Sequence, residues 1–124
     1  MKSLEYAFKS YLGAQNRENS ESYIHINNLF MVVDGIGIES LAETAKEATR
    51  KIVPDAFFKH LSEYLNPADA LIYAVEEANN KIIEERHKLG EKIAASISLI
   101  YFQNNIMYFT HLGDSRIYCL QAGE

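Results

Sequence analysis

Two apolar runs in this chain each end on an acid beside a glycine. Leu29-Phe30-Met31-Val32-Val33 runs into Asp34-Gly35-Ile36-Gly37, and a later run, Ile106 to Leu112, runs into Gly113-Asp114-Ser115-Arg116. Short apolar runs rich in β-formers and bounded by glycines fit the strands of a sheet core. Each run therefore brings one carboxylate to the mouth of a sheet. Such a position holds a charge rigidly yet leaves it open to solvent, which suits metal or phosphate chemistry.

The segment between these runs changes period. Leu41, Ala45, Ala48 and Ile52 mark one face of a helix that begins after Gly37, with Ser40 and Glu43 at capping-box spacing. Phe57, Phe58, Leu61 and Leu65 suggest a second, shorter helical piece. Asn66-Pro67 is a helix start, since Asn caps well and Pro at the first helical position loses no needed donor. Leu71, Ala74, Val75, Ala78 and Ile82 keep helical spacing until Gly90, which is placed to stop the helix.

Strands flank these helices on both sides. Tyr6 to Leu12 alternates weakly, and Tyr23 to Ile26 is a short strand turning at Asn27-Asn28 into Leu29. Ile93 to Phe102 reads as a strand, Asn104-Asn105 as a hairpin turn, and Ile106 to Leu112 and Ile117 to Leu120 as the last strands. Strands, two main helices, then strands again predict an α+β fold with helices against a largely antiparallel sheet.

Composition narrows the function. The 124 residues are 48% hydrophobic and 23% charged, so the chain can bury one core and is not disordered. A formal charge of −5 leaves no basic footprint for nucleic acid or an anionic membrane. Cys119 is the only cysteine, which rules out an internal disulfide and fits the cytoplasm. The N-terminus lacks a secretory apolar stretch, and no run is long enough to span a bilayer.

Taken singly, the acidic turns are ambiguous. Asp34 suits the entry to a helix, where the dipole favours an acid. An aspartyl-phosphate site of the haloacid-dehalogenase type wants a second Asp two residues on, where Ile36 stands. A dinucleotide loop over Gly35 and Gly37 would need a third glycine where Ser40 stands. Asp114 suits a tight turn, and Arg116 a solvated strand. His25, His60, His87 and His111 have no ligand spacing and read as surface or packing residues, with His111 the nearest to Asp114. Glu76-Glu77 and Glu84-Glu85-Arg86 read as a solvated helix face, and Cys119 as a small core residue.

Together and in order, the segments resemble the metal-dependent PP2C (PPM-type) serine/threonine protein phosphatases. In that family a strand enters an Asp-Gly-x-Gly-Gly loop, a long second helix leads to a Gly-Thr-Thr strand, and a hairpin delivers Gly-Asp-Ser-Arg. This chain has Asp34-Gly35-Ile36-Gly37, Ala94-Ala95-Ser96 and Gly113-Asp114-Ser115-Arg116, and upstream Arg17-Glu18-Asn19-Ser20-Glu21-Ser22 aligns with the family's Arg-x-x-x-Glu-Asp element. The resemblance covers nearly the whole chain but only the N-terminal half of the family's α-β-β-α sandwich. Residues 1–124 are thus expected to be a partial PPM-type domain.

The resemblance implies the following roles. Asp34 would bridge two Mn²⁺ or Mg²⁺ ions, the Gly35 carbonyl would add an oxygen ligand, and Glu21 would serve the same centre. Asp114 would help hold a third ion, and Arg17 would clamp the phosphate. Hard cations want such oxygen donors, and two of them can activate a water for in-line attack on a phosphoserine or phosphothreonine.

Several signature positions depart from the pattern. Ser22 replaces the family's aspartate, Ile38 the last loop glycine, and Ala94-Ala95 the glycine and first threonine of the strand motif. If position 38 needs positive φ, a β-branched residue there is strained. The family's later half, which brings further metal aspartates, has no counterpart in these residues. The expectation is a phosphatase-like domain with little or no turnover alone, and the alternative is a degenerate binding or regulatory module. An uncovered apolar sheet face would invite self-association.

Overall fold

The computed structural model describes residues 4–10, 21–63 and 66–123. Four strands and two helices follow one another as β1 (Glu21–Ile26), β2 (Leu29–Ile36), α1 (Glu39–Ser62), α2 (Pro67–Leu89), β3 (Ala94–Gln103) and β4 (Ile106–Leu112). The strands form one antiparallel sheet in the order β1-β2-β3-β4. Both helices pack on one face of it, so the α+β layout stands.

Alternation along β2 separates the two faces. Leu29, Met31 and Val33 are fully buried against the helices, whereas Phe30, Val32, Asp34 and Ile36 belong to the outer face. Ile97, Leu99 and Tyr101 of β3 join the inner set, where they meet Val53, Ala56 and Phe57 of α1 and Leu71, Ala74 and Ala78 of α2. Phe57 sits edge-on to Tyr101 at 4.7 Å between ring centres. Burial there pushes the Tyr101 phenol above its ordinary pKa.

The turns follow their residues. Asn27 at φ 53° closes the first hairpin, and Asn104 and Asn105 at 54° and 63° close the last one, the conformation a two-residue hairpin turn requires. Asn66 accepts from the Asp69 amide at 2.9 Å, and Pro67 opens α2. Gly90 ends it at φ 65°, donating its amide to the Arg86 carbonyl.

Five sequence expectations need correction. Ser40 and Glu43 do not box the start of α1: Ile38 is the N-cap, without a side-chain bond. Ser40 lies inside the helix, where its carbonyl accepts from Thr44 Oγ1, and Glu43 pairs with Lys46 at 2.6 Å. Phe57 to Leu61 is no separate piece but the end of α1, which runs straight through Pro54; Leu65 lies outside the described residues. Pro54 removes one helical donor, but the buried stripe of Val53, Ala56 and Phe57 continues across it and holds the helix on the core.

The other three concern the outer face. Residues 4–10 form no strand, and positions 11 and 12 lie outside the described residues. The rings cross the sheet instead: Phe8 stacks on Tyr23 at 4.2 Å, and Tyr6 meets His25 edge-on at 4.2 Å and Phe30 at 5.3 Å. Ile117 to Leu120 is likewise irregular, since no neighbouring strand among the described residues offers it a ladder. Cys119 is consequently exposed, not a core residue. The outer face is thus only partly covered. Val32 is 44% exposed and Phe109 57%.

The contact between α1 and β2 is tight at one point, where a Cβ on Gly35 would land on the Ala42 carbonyl oxygen. Gly35→Ala is expected to destabilise the fold by about 2–4 kcal/mol, because backbone, not a flexible side chain, stands in the way. Phe57→Ala is expected to cost about 3–5 kcal/mol by opening the core, and Asn66→Ala only about 1 kcal/mol by uncapping α2. Urea unfolding followed by circular dichroism orders the three variants.

Candidate metal centre

Asp34 stands two residues before the end of β2, half-buried on the outer face. Its cross-strand partners are Glu21 on β1 and Ser96 on β3. One row across three strands therefore carries Glu21, Asp34 and Ser96, the acids from the two hairpin-linked strands and the hydroxyl from the strand returning after the helices. Antiparallel pairs of this kind bring Cβ atoms within about 5 Å. The register alone makes two carboxylate-bearing residues neighbours.

The backbone around Asp34 contains the small residues that the close approach demands. Gly35 points its missing side chain at the first turn of α1, and Gly37, at φ 139°, turns the chain out of the sheet close to the Lys92 carbonyl. Ile38 has φ −69° and ψ 151°, ordinary extended geometry. The β-branched residue at this position is therefore unstrained, because Gly37 alone carries the left-handed turn.

Asp114 arrives from the other side. Leu112 ends β4 opposite Ile97, so the next residue, Gly113, reaches the chain beside Ser96. Gly113 has φ 86°, and a Cβ on it would lie 2.7 Å from Ser96 Cβ. Ser115 then turns back, its Oγ 2.8 Å from Ser96 Oγ. Asp114, held between these two contacts, is exposed, as is Arg116, whose guanidinium donates to the Tyr118 hydroxyl at 3.4 Å.

The structure thus gathers the segments bearing Glu21, Asp34, Gly35 and Asp114 at one end of the sheet. Arg17 lies outside the described residues, so its proposed phosphate contact has no geometry here. Ser22 is paired with Val33, one position off the Asp34 row, and alternation sets it on the helix side. Among the described residues, no three His, Cys, Asp or Glu side chains cluster as a metal site. The donors fit a hard divalent cation in kind, being carboxylate and carbonyl oxygens, but they are few.

Two of the histidines take structural parts. His25 Nε2 lies 2.6 Å from the Asn27 carbonyl, and His60 Nε2 lies 2.8 Å from Glu77 Oε1, tying α1 to α2. His111 is exposed, opposite Ser98 on β3. The Ser96–Ser115 pair has no equivalent among the residues that sequence reasoning singled out. Its signal was present, a small-residue stretch Ala94-Ala95-Ser96 and a serine inside the Gly113–Arg116 turn, but only the register joins them.

The family model for protein phosphatase 2C matches residues 5–124. No curated protein matches the chain in sequence. The catalytic domain of the serine/threonine protein phosphatase PstP, solved in complex with two manganese ions, is 26% identical and superposes with a TM-score of 0.76. The alignment covers 94% of this chain and 50% of that one. A second structure, of the Mycobacterium tuberculosis serine/threonine phosphatase PstP/Ppp, gives 26% identity and a TM-score of 0.74, over 94% and 49% of the two chains. The chain spans about half the length of these solved structures. With a family model matching almost its whole length and an α+β fold that superposes on half of a solved phosphatase domain, this chain belongs to the protein phosphatase 2C family.

Proposed function

We propose that residues 1–124 form one partial PPM-type domain, contributing part of the metal centre of a phosphatase for phosphoserine and phosphothreonine proteins in the cytoplasm. The single observation that carries this reading is the row Glu21–Asp34–Ser96, with the Gly113–Ser115 turn closed onto its end. Two manganese ions in the related PstP domain support the choice of cation, with Mg²⁺ the chemically equivalent alternative.

In this reading Glu21 and Asp34 present carboxylate oxygens, the Gly35 carbonyl adds a neutral donor, and Asp114 contributes a further carboxylate from the exposed turn. Bound divalent ions would supply Lewis-acid activation of a water for attack at phosphorus. Arg17 would orient the phosphate through a planar guanidinium able to make two parallel hydrogen bonds. Glycines at 35 and 37 keep the acid-bearing backbone against α1, so Asp34 is fixed before any ligand arrives.

The same inventory supports low activity. Two carboxylates and a carbonyl leave a pair of divalent ions under-neutralised, and exposed Asp114 would serve only a third, more weakly held ion. Residues 1–124 alone would therefore bind Mn²⁺ weakly and turn over no phosphoester.

Two measurements on the purified chain test this reading: Mn²⁺ binding by titration calorimetry, and Mn²⁺-dependent hydrolysis of a phosphothreonine peptide, each beside Asp34→Asn. The expected outcome is Mn²⁺ binding weakened at least about tenfold by the substitution, with no turnover in either protein. Metal-dependent turnover abolished by Asp34→Asn would overturn the inactivity. Equal Mn²⁺ affinity in the two proteins would overturn the site and leave a binding module without turnover.

A further inference from the structure

We infer that Ser96 is a positioning residue: through its hydroxyl contact with Ser115 and its packing on Gly113, it sets where Asp114 stands relative to Asp34. The purpose of that placement rests on the metal reading above; the anchoring itself rests on geometry alone.

Ser96 is fully buried although it belongs to the outer face, where Val32 is 44% exposed. What buries it is the turn after β4. Gly113 lies flat against its Cβ, at a distance no other residue would tolerate, and Ser115 Oγ lies 2.8 Å from its hydroxyl. The first contact is steric and the second polar, and they bracket Asp114 in the chain. Undocking the turn would leave a buried hydroxyl to be resolvated and would free two backbone dihedrals on either side of the acid.

The position of Ser96 in the register gives this contact its consequence. Ser96 is directly opposite Asp34, and β3 lies between β2 and β4. A carboxylate leaving β4 can approach the β2 carboxylate only by passing over β3 at this row. An alanine at 96 would still pack in the sheet and keep its Cβ against Gly113, but it would lose the hydroxyl that holds Ser115. Two residues along the same strand and face, Ser98 is also buried, and its hydroxyl has no hydrogen-bond partner among the described residues. Burial on this face therefore does not by itself satisfy a serine; the pairing at 96 is specific to the turn.

Trypsin reads the anchoring directly, because Arg116 is exposed and cleavage after it requires the turn to leave Ser96. Initial cleavage rates after Arg116 are compared for the wild type, Ser96→Ala, Ser115→Ala, the double variant and Ser115→Thr. Cleavage after Arg86 in α2 serves as the internal control. The loss of one net hydrogen bond predicts a roughly fivefold faster cut at Arg116 in each alanine variant. The double variant should be no faster than either single one, Ser115→Thr should match the wild type, and Arg86 should be unchanged. Ser115 lies outside the hydrophobic core, so its variants test the claim even if Ser96→Ala unfolds.

Unchanged cutting at Arg116 in both alanine variants would overturn the inference, as would equal acceleration at Arg86, the mark of general destabilisation. A second arm follows amide line broadening by substoichiometric Mn²⁺. The wild type should lose signal at residues 34–36 and 113–115 together. Ser96→Ala should keep the first effect and lose at least about half of the second. Equal broadening at 113–115 in Ser96→Ala would also count against positioning. Absence of broadening at both segments in the wild type would instead sink the metal reading, with the protease rates still deciding the anchor.

Discussion

The antiparallel pairing of β2 with β3 is the constraint on which the rest of this structure depends. It runs unbroken from Leu29 opposite Tyr101 to Ile36 opposite Ala94. At one end it closes the core, with Leu29 and Tyr101 under the helices; at the other it sets Asp34 against Ser96. A slip of one residue would send Met31 and Val33 to solvent and Asp34 into the core, so hydrophobic burial and the acidic row are enforced by one register. The cost of moving a carboxylate into an apolar core reinforces it.

The helices fix that register from above. α1 and α2 connect β2 to β3, and their buried stripe meets alternate residues of both strands. At Gly35 this layer touches down closely, beside the acid that the candidate site needs. The close approach pins Asp34 to the rigid part of the domain and leaves β4 and its turn as the adjustable partner. A site built from one fixed and one anchored acid needs an anchor, and Ser96 is the residue in place to serve as one.

Much of this was legible along the chain, and the reason is local chemistry. Asn66-Pro67, Gly90 and the Asn104-Asn105 turn specify their own backbone, and the structure uses them so. The acids at 34 and 114 were visible as interruptions of apolar runs. What could not be read depends on partners distant in sequence. Phe57, Phe58 and Leu61 looked like a separate helical piece but end a helix that continues through Pro54, held down by its buried neighbours; Tyr6 and Phe8 looked like a strand but spend their rings on Tyr23, His25 and Phe30. Ile117 to Leu120 has strand composition and no ladder, because composition cannot supply a neighbouring edge. Ile38 looked strained only while the residue carrying the positive φ was unknown; Gly37 carries it.

The outer face shows how unevenly this half-length match is finished. At the Asp34 end, the turn after β4 buries Ser96 and gives its hydroxyl a partner. In the middle, Ser98 is also buried, yet its hydroxyl has no partner among the described residues, beside a cavity of about 220 Å³ lined by Phe8, Phe30, Ile100, Ile117 and Tyr118. A buried hydroxyl without a partner costs about 1–3 kcal/mol, and loose packing around it forfeits dispersion as well. The segments lying over this face, 4–10 and 115–120, are irregular and supply neither a ladder nor a polar partner there. The sheet's order therefore comes from its helix-covered side. The acidic row is placed by the strands it shares with that side.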